Sequence, residues 1–261
     1  MTFSANLGFL WTDLSLPDAI RAAKRAGFDA VECHFPYDQD PIAVAEALAE
    51  TGLSMLGLNT VRGDIAAGDF GLSALPGREA EARAAIVQAV GYARQIGAGA
   101  VHVMAGRAEG DAARATYRDN LAHAADLAGA EGIDVLIEPI NTRDVAGYHL
   151  NLVEDGAALI ADLGRPNLRL MLDCYHTQIM QGDLTRRIEA HLPVIGHIQI
   201  AGVPDRGEPD GGEIAYDRLL PALRAMGYCG HFGAEYRPAG EVEEGLGWLP
   251  VLQKACAAHK E

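Results

Sequence analysis

Cysteine is scarce: the 261-residue chain has four, Cys33, Cys174, Cys229 and Cys256, and no two form a CxxC pair. That argues against a thiolate zinc cluster and against a disulfide framework, and suits reduced thiols in a cytosolic core. Positive charge is also short, with 21 Lys and Arg against 36 Asp and Glu and a formal net charge of −15. Nucleic acid and anionic membrane surfaces are disfavoured as partners, because phosphate binding rests on a basic footprint. A small anion is not excluded, since net charge does not fix the potential inside a pocket. No apolar run is long enough to span a bilayer, and the opening MTFSANLGFLWTDLSL lacks a basic n-region and a small-residue cleavage pattern. A cytoplasmic protein is the expectation.

What the chain does have is ordinary core material, 49% hydrophobic and 22% charged residues, arranged as short β-type segments alternating with helical ones. The predicted strands are Phe3–Gly8, Ala30–Cys33, Ser54–Asn59, Ala100–Met104, Asp134–Glu138, Leu168–Asp173, Val194–Ile200 and Gly230–Tyr236. The predicted helices are Pro17–Ala26, Ile42–Glu50, Arg78–Ile96, Ala112–Glu131, Leu152–Leu163, Leu184–His191, Tyr216–Met226 and Val242–Ala258. Such alternation makes a parallel sheet covered by helices, and the count suits one closed (β/α)₈ barrel, a TIM barrel, over residues 1–261. The long segments Thr60–Gly77, Pro139–Asn151 and Ala201–Ala215 follow strands, so they belong to the C-terminal face of the barrel, where active sites lie.

The last four predicted strands each end in an oxygen donor: Glu138, Asp173, Gln199 and Glu235. A carboxylate flanked by apolar strand residues is costly to bury unless it is paired or bound to metal. An all-oxygen set with three negative charges suits a hard cation, Mg²⁺ or Mn²⁺, better than Zn²⁺.

The stretches LIEPIN at 136–141, DCYHTQIMQGD at 173–183, GHIQ at 196–199, GEIAY at 212–216 and EYRP at 235–238 followed by GLGW at 245–248, with FPYD at 35–38, resemble hydroxypyruvate isomerase of the xylose isomerase-like TIM barrels. Closely similar sequences are 2-oxo-tetronate isomerases. The resemblance implies that Glu138, Asp173, Gln199 and Glu235 hold the metal and that Glu138 and Glu235 double as the proton-transfer pair. It implies hydroxypyruvate as first substrate and a 2-oxo-tetronate or a ketose, by 3-epimerisation, as alternatives. It also makes His176 a donor to a substrate oxygen.

Arg206 and Asp144 fall near positions where related epimerases touch substrate, and Arg206 is a candidate for the substrate carboxylate. Asp205 stands where those epimerases carry an arginine, a departure that counts against epimerase activity. His34, His102, Asn59 and Arg62 fall at or just beyond strand ends on the same face, and of these Asn59 and Arg62 are further substrate-binding candidates. His197 shares a strand face with Gln199 and reads either as support beneath the metal or as a core histidine. Glu213 reads as a surface acid, and Trp11 and Trp248 as core or pocket wall. An endonuclease IV-type hydrolase and a non-catalytic sugar-acid binder are distant alternatives. The expected partner is a short hydroxy-oxo acid, with homo-oligomerisation left open.

Overall fold

A computed structural model of the chain describes residues 1–255. Nine parallel strands run β1 Phe3–Asn6, β2 Ala30–Glu32, β3 Ser54–Met55, β4 Leu58–Asn59, β5 Ala100–His102, β6 Asp134–Ile137, β7 Leu168–Asp173, β8 Ile195–Ile200 and β9 Phe232–Ala234. Their spatial order is β3-β2-β1-β9-β8-β7-β6-β5-β4. The two ends of that order, β3 and β4, are pieces of one run of chain separated only by Leu56 and Gly57. Gly57 O accepts from Cys33 N (3.1 Å) on one side, and Met55 O accepts from Gly99 N (3.0 Å) on the other. The sheet therefore closes on itself as an α/β barrel of the TIM type, and its third predicted strand is split at Leu56–Gly57.

The helices are α1 Leu16–Ala26, α2 Pro41–Thr51, α3 Glu79–Ile96, α4 Gly110–Gly129, α5 Val153–Leu163, α6 Cys174–Met180, α7 Leu184–His191, α8 Tyr216–Ala225 and α9 Trp248–Ala255. Their ends follow local chemistry. Ser15 caps α1 through Asp18 N, Pro17 occupies its first turn, and Gly27 closes it in the left-handed region at φ 92°, the pairing expected of a capped helix. Two expectations need correction. The seven-residue helix α6 was not foreseen, and the predicted Val242–Ala258 helix is broken into a 3₁₀ turn at Val242–Gly245 and α9, with Gly245 and Gly247 flanking the break as poor helix formers. Residues 256–258 of that expectation, with Cys256, lie outside the described residues.

Strand alternation sorts the barrel into two faces. Val101, Val135, Ile137, Leu170, Leu172, Ile198 and Ile200 are fully buried beneath the helices. The opposite parity points down the barrel axis and is largely polar: Ser4 and Asn6, Glu32, His102, Glu138, Asp173, His197 and Gln199, Glu235. Below these acids the interior is not filled. A cavity of about 220 Å³ is walled by Gly57, Gly99, Ala100, Leu136, Met171 and Gly196, where barrels of this kind usually pack layers of branched side chains.

Candidate active site

Strand ends on the C-terminal face carry the predicted donors, and register sets their spacing. Asp173 on β7 pairs with Gln199 on β8, Gln199 pairs with Gly233 on β9, and Glu235 follows two residues later on the same face. Glu138 comes directly after β6. All four side chains are buried.

Glu138, Asp173 and His176 each place one donor atom within 4.8 Å of the other two. His176 Nε2 lies 3.6 Å from both Glu138 Oε1 and Asp173 Oδ2. Asp173 Oδ1 is held by Tyr175 N at 2.7 Å, as the N-cap of α6, which leaves Oδ2 for the side chains around it. Glu138 Oε1 and Gln199 Oε1 are buried with no hydrogen-bond partner among the described residues. Buried oxygens without donors are expensive unless a cation completes them. This buried group fits a divalent ion, with Glu138, Asp173 and His176 as its nearest donors and Gln199 Oε1 as a further free oxygen.

Glu235 joins the cluster through Arg206, whose Nη2 donates to Asp173 Oδ2 (2.9 Å) and Glu235 Oε2 (2.8 Å). Asn6 Nδ2 (3.1 Å) and His34 Nε2 (2.9 Å) approach the other Glu235 oxygen. Arg206 was expected to take a substrate carboxylate. Its Nη2 hydrogens are instead committed to two protein acids, because it is the guanidinium within reach of them.

The ionisation pattern follows these contacts. Burial pushes the Glu138 carboxyl well above its usual range, and the charges of Glu235 and Asp173 push it further. Asp173 is also raised, by burial against the opposing pull of Arg206. For Glu235 burial is outweighed by Arg206 and His34, so it stays ionised. One glutamate is thus biased toward the acid and the other toward the carboxylate.

His176 is gripped on both sides of its ring. Asn141 Oδ1 accepts from Asp144 N (2.8 Å), which fixes that amide and turns its Nδ2 onto His176 Nδ1, where Asn141 N (3.3 Å) also donates. Burial keeps the imidazole neutral, and Arg206 Nη1 approaches the other ring nitrogen, Nε2, at 3.3 Å. Asp144 accepts from Tyr175 Oη at 2.8 Å and Asn141 Nδ2 at 3.1 Å, bracing the loop rather than standing free. Both His102 nitrogens are unpartnered among the described residues, and burial lowers this histidine to about 4.

Above the acids opens a second cavity of about 260 Å³, lined by Phe9, Phe35, Asn59, Arg62, Phe70, Asp144 and Arg237 and floored by Glu138, His176, Arg206 and Glu235. Arg62 lies over the rings of Phe35 (4.5 Å) and Phe70 (5.2 Å), and its Nε is buried without a partner among the described residues. Asp205 and Glu213 are exposed, and Glu213 accepts from Gln178 Nε2. Trp11 bonds Glu243 and packs on Phe28, while Trp248 packs on Phe3, Phe28 and Tyr236; both belong to the core.

Glu32 was missed. It lies inside β2, buried, and accepts from Ser4 Oγ (2.9 Å), His197 Nε2 (3.1 Å) and Gln199 Nε2 (2.7 Å). The signal was available, a carboxylate between Val31 and Cys33 in an apolar strand. His197 is therefore the ion-pair partner of Glu32 beneath the site: burial lowers its proton affinity but the Glu32 charge raises it more.

A buried acid pair and donor cluster thus lie at the mouth of a closed α/β barrel, and the comparisons place the family. A profile of the xylose isomerase-like TIM barrel family matches residues 20–252, and the chain belongs to that family. It is 47% identical to the 2-oxo-tetronate isomerase of Cupriavidus necator, over 95% of this chain and 96% of that one. It is 38% identical to the hydroxypyruvate isomerase of Escherichia coli, over 95% and 98%. A crystal structure described as an AP endonuclease, family 2, from Brucella melitensis superposes with a TM-score of 0.92 at 41% identity, covering 96% of this chain and 98% of that one. Within the family, then, this is a sugar-acid isomerase of the hydroxypyruvate and 2-oxo-tetronate isomerase group.

Proposed function

We propose that this enzyme interconverts a 2-oxo-tetronate and its 3-oxo isomer, with hydroxypyruvate as a shorter substrate. This order reverses the expectation drawn from sequence motifs, on the strength of the 47% identical relative. Both substrates offer the same reacting unit, a carbonyl at C2 beside a hydroxylated C3. The observation that carries the reading is the placement of Glu138 and Glu235 at one pocket floor, linked by Arg206 and His176.

One glutamate takes the C3 proton, and a planar enediolate forms as C2 and C3 become doubly bonded. The other returns a proton to C2, while the O3 proton passes to O2, so atoms balance without a co-reactant. Each positioned acid or base is worth on the order of 10²–10⁴ in rate. His176, whose Nε2 lies 3.6 Å from Glu138 Oε1 and Asp173 Oδ2, is placed to polarise the oxygen that gathers charge. A divalent ion, Mg²⁺ or Mn²⁺, held by Glu138 and Asp173 with Gln199, Glu235 or His176 completing the set, would supply electrostatic stabilisation of that oxyanion. Arg62, with no carboxylate to satisfy it among the described residues, is the anchor for the substrate carboxylate.

Phosphodiester hydrolysis is the rival suggested by the name of the Brucella structure, and a net charge of −15 works against a polyanionic substrate. A proton-NMR panel of 2-oxo-tetronates, hydroxypyruvate and free ketoses separates the readings. Turnover of the four-carbon and three-carbon acids is expected. Turnover confined to hexuloses, or cleavage of abasic DNA in place of isomerisation, would overturn the proposal.

A further inference from the structure

Gln199 presents an asymmetric problem. An amide has nearly the same shape when its oxygen and nitrogen are exchanged, so packing alone does not decide which atom faces the pocket. The space beneath it is the open axial cavity, which constrains it even less. Glu32 removes the ambiguity, because an ionised carboxylate accepts hydrogen bonds and cannot donate them. Its Oε2 takes Gln199 Nε2 at 2.7 Å, while Oε1 is engaged by Ser4 Oγ at 2.9 Å and His197 Nε2 at 3.1 Å. The amide oxygen is left on the far side, buried and without a donor among the described residues.

The backbone makes room for this arrangement. A Cβ built on Gly233, the register partner of Gln199, would lie 2.2 Å from Glu32 Oε1, 2.7 Å from His197 Nε2 and 3.0 Å from Gln199 Cγ. Glycine at that point of β9 is what lets three side chains from β2 and β8 meet.

We propose that Glu32 is a positioning residue, locking the Gln199 amide so that its oxygen, and not its nitrogen, is presented to the acid cluster. Its role toward a metal rests on the reading of that cluster given above; the amide orientation does not. The test therefore has two arms. In metal-free protein, the ¹⁵N side-chain amide of Gln199, assigned by its loss in Gln199→Ala, is expected to be shifted and protected from exchange, and to lose protection in Glu32→Gln. In a Mn²⁺ titration followed by electron paramagnetic resonance, Glu32→Gln is expected to weaken binding 10–100-fold, the usual cost of removing a partner that orients a ligand. The exchange variant E32Q/Q199E restores an acceptor facing a donor and is expected to recover native affinity or better, which a general loss of packing would not do. Native-like Mn²⁺ affinity in Glu32→Gln, or an exchange variant as weak as the single one, would overturn the proposal. If native protein takes up no Mn²⁺, the metal reading falls and the amide arm alone decides: retained protection in Glu32→Gln refutes the lock, and lost protection supports it.

Discussion

Arg62 keeps a guanidinium half-buried between Phe35 and Phe70 with its Nε unsatisfied among the described residues, whereas Arg206 spends its Nη2 hydrogens on Asp173 and Glu235. Hydrogen bonds to charged groups are worth about 1.5–3 kcal/mol, so Arg62→Leu is expected to raise KM for the acid substrates about 10–100-fold with kcat little changed. Steady-state kinetics check this, and an unchanged KM would remove Arg62 from the carboxylate site. Legibility at this scale followed burial cost. Glu138, Asp173 and Glu235 stood out as acids ending apolar strands, and Glu32 obeyed the same rule without being read. The partners of Arg206 were not legible, because they depend on the path of a long loop that places it at φ 58°, a path no local pattern in the sequence encodes.

The segments leaving β4, β5 and β6 are tied together by backbone. Gly71 and Ala105 form an isolated bridge, Arg107 and Tyr148 another, and His149 N donates to Gly106 O at 2.9 Å. Gly106 sits at φ 96°, and a Cβ there would lie 2.3 Å from Gly71 O. Gly106→Ala must therefore displace the segment that carries Arg62 and Phe70. It is expected to cost about 2–3 kcal/mol and to raise KM, read by denaturant midpoint and kinetics. Gly77→Ala, also left-handed but with nothing within 4 Å, is the control and should cost only about 1 kcal/mol. Equal losses in the two would mean that the close approach contributes nothing. Strand and helix positions were readable because alternation and capping are local. The seven-residue α6 was not, since it follows directly on Asp173, its N-cap and the last residue of β7, and is too short to show a periodicity.

A closed barrel gives one mouth, and closure brings residues 6, 32, 138, 173, 199 and 235 around a single axis. The count of βα units made that geometry readable in outline. The hollow beneath the acids was not, because it arises from the coincidence of Gly57, Gly99, Ala100 and Gly196 on three separate stretches of the chain. The account as a whole depends on proton transfer by the two glutamates, and deuterium uptake tests it most directly. With a 2-oxo-tetronate in D₂O, native enzyme should isomerise the acid and exchange its carbon-bound hydrogen. Glu138→Gln and Glu235→Gln should each bind the acid yet lose about 10²–10⁴ in turnover and exchange. A variant of either kind that turns over within about threefold of native would contradict the account.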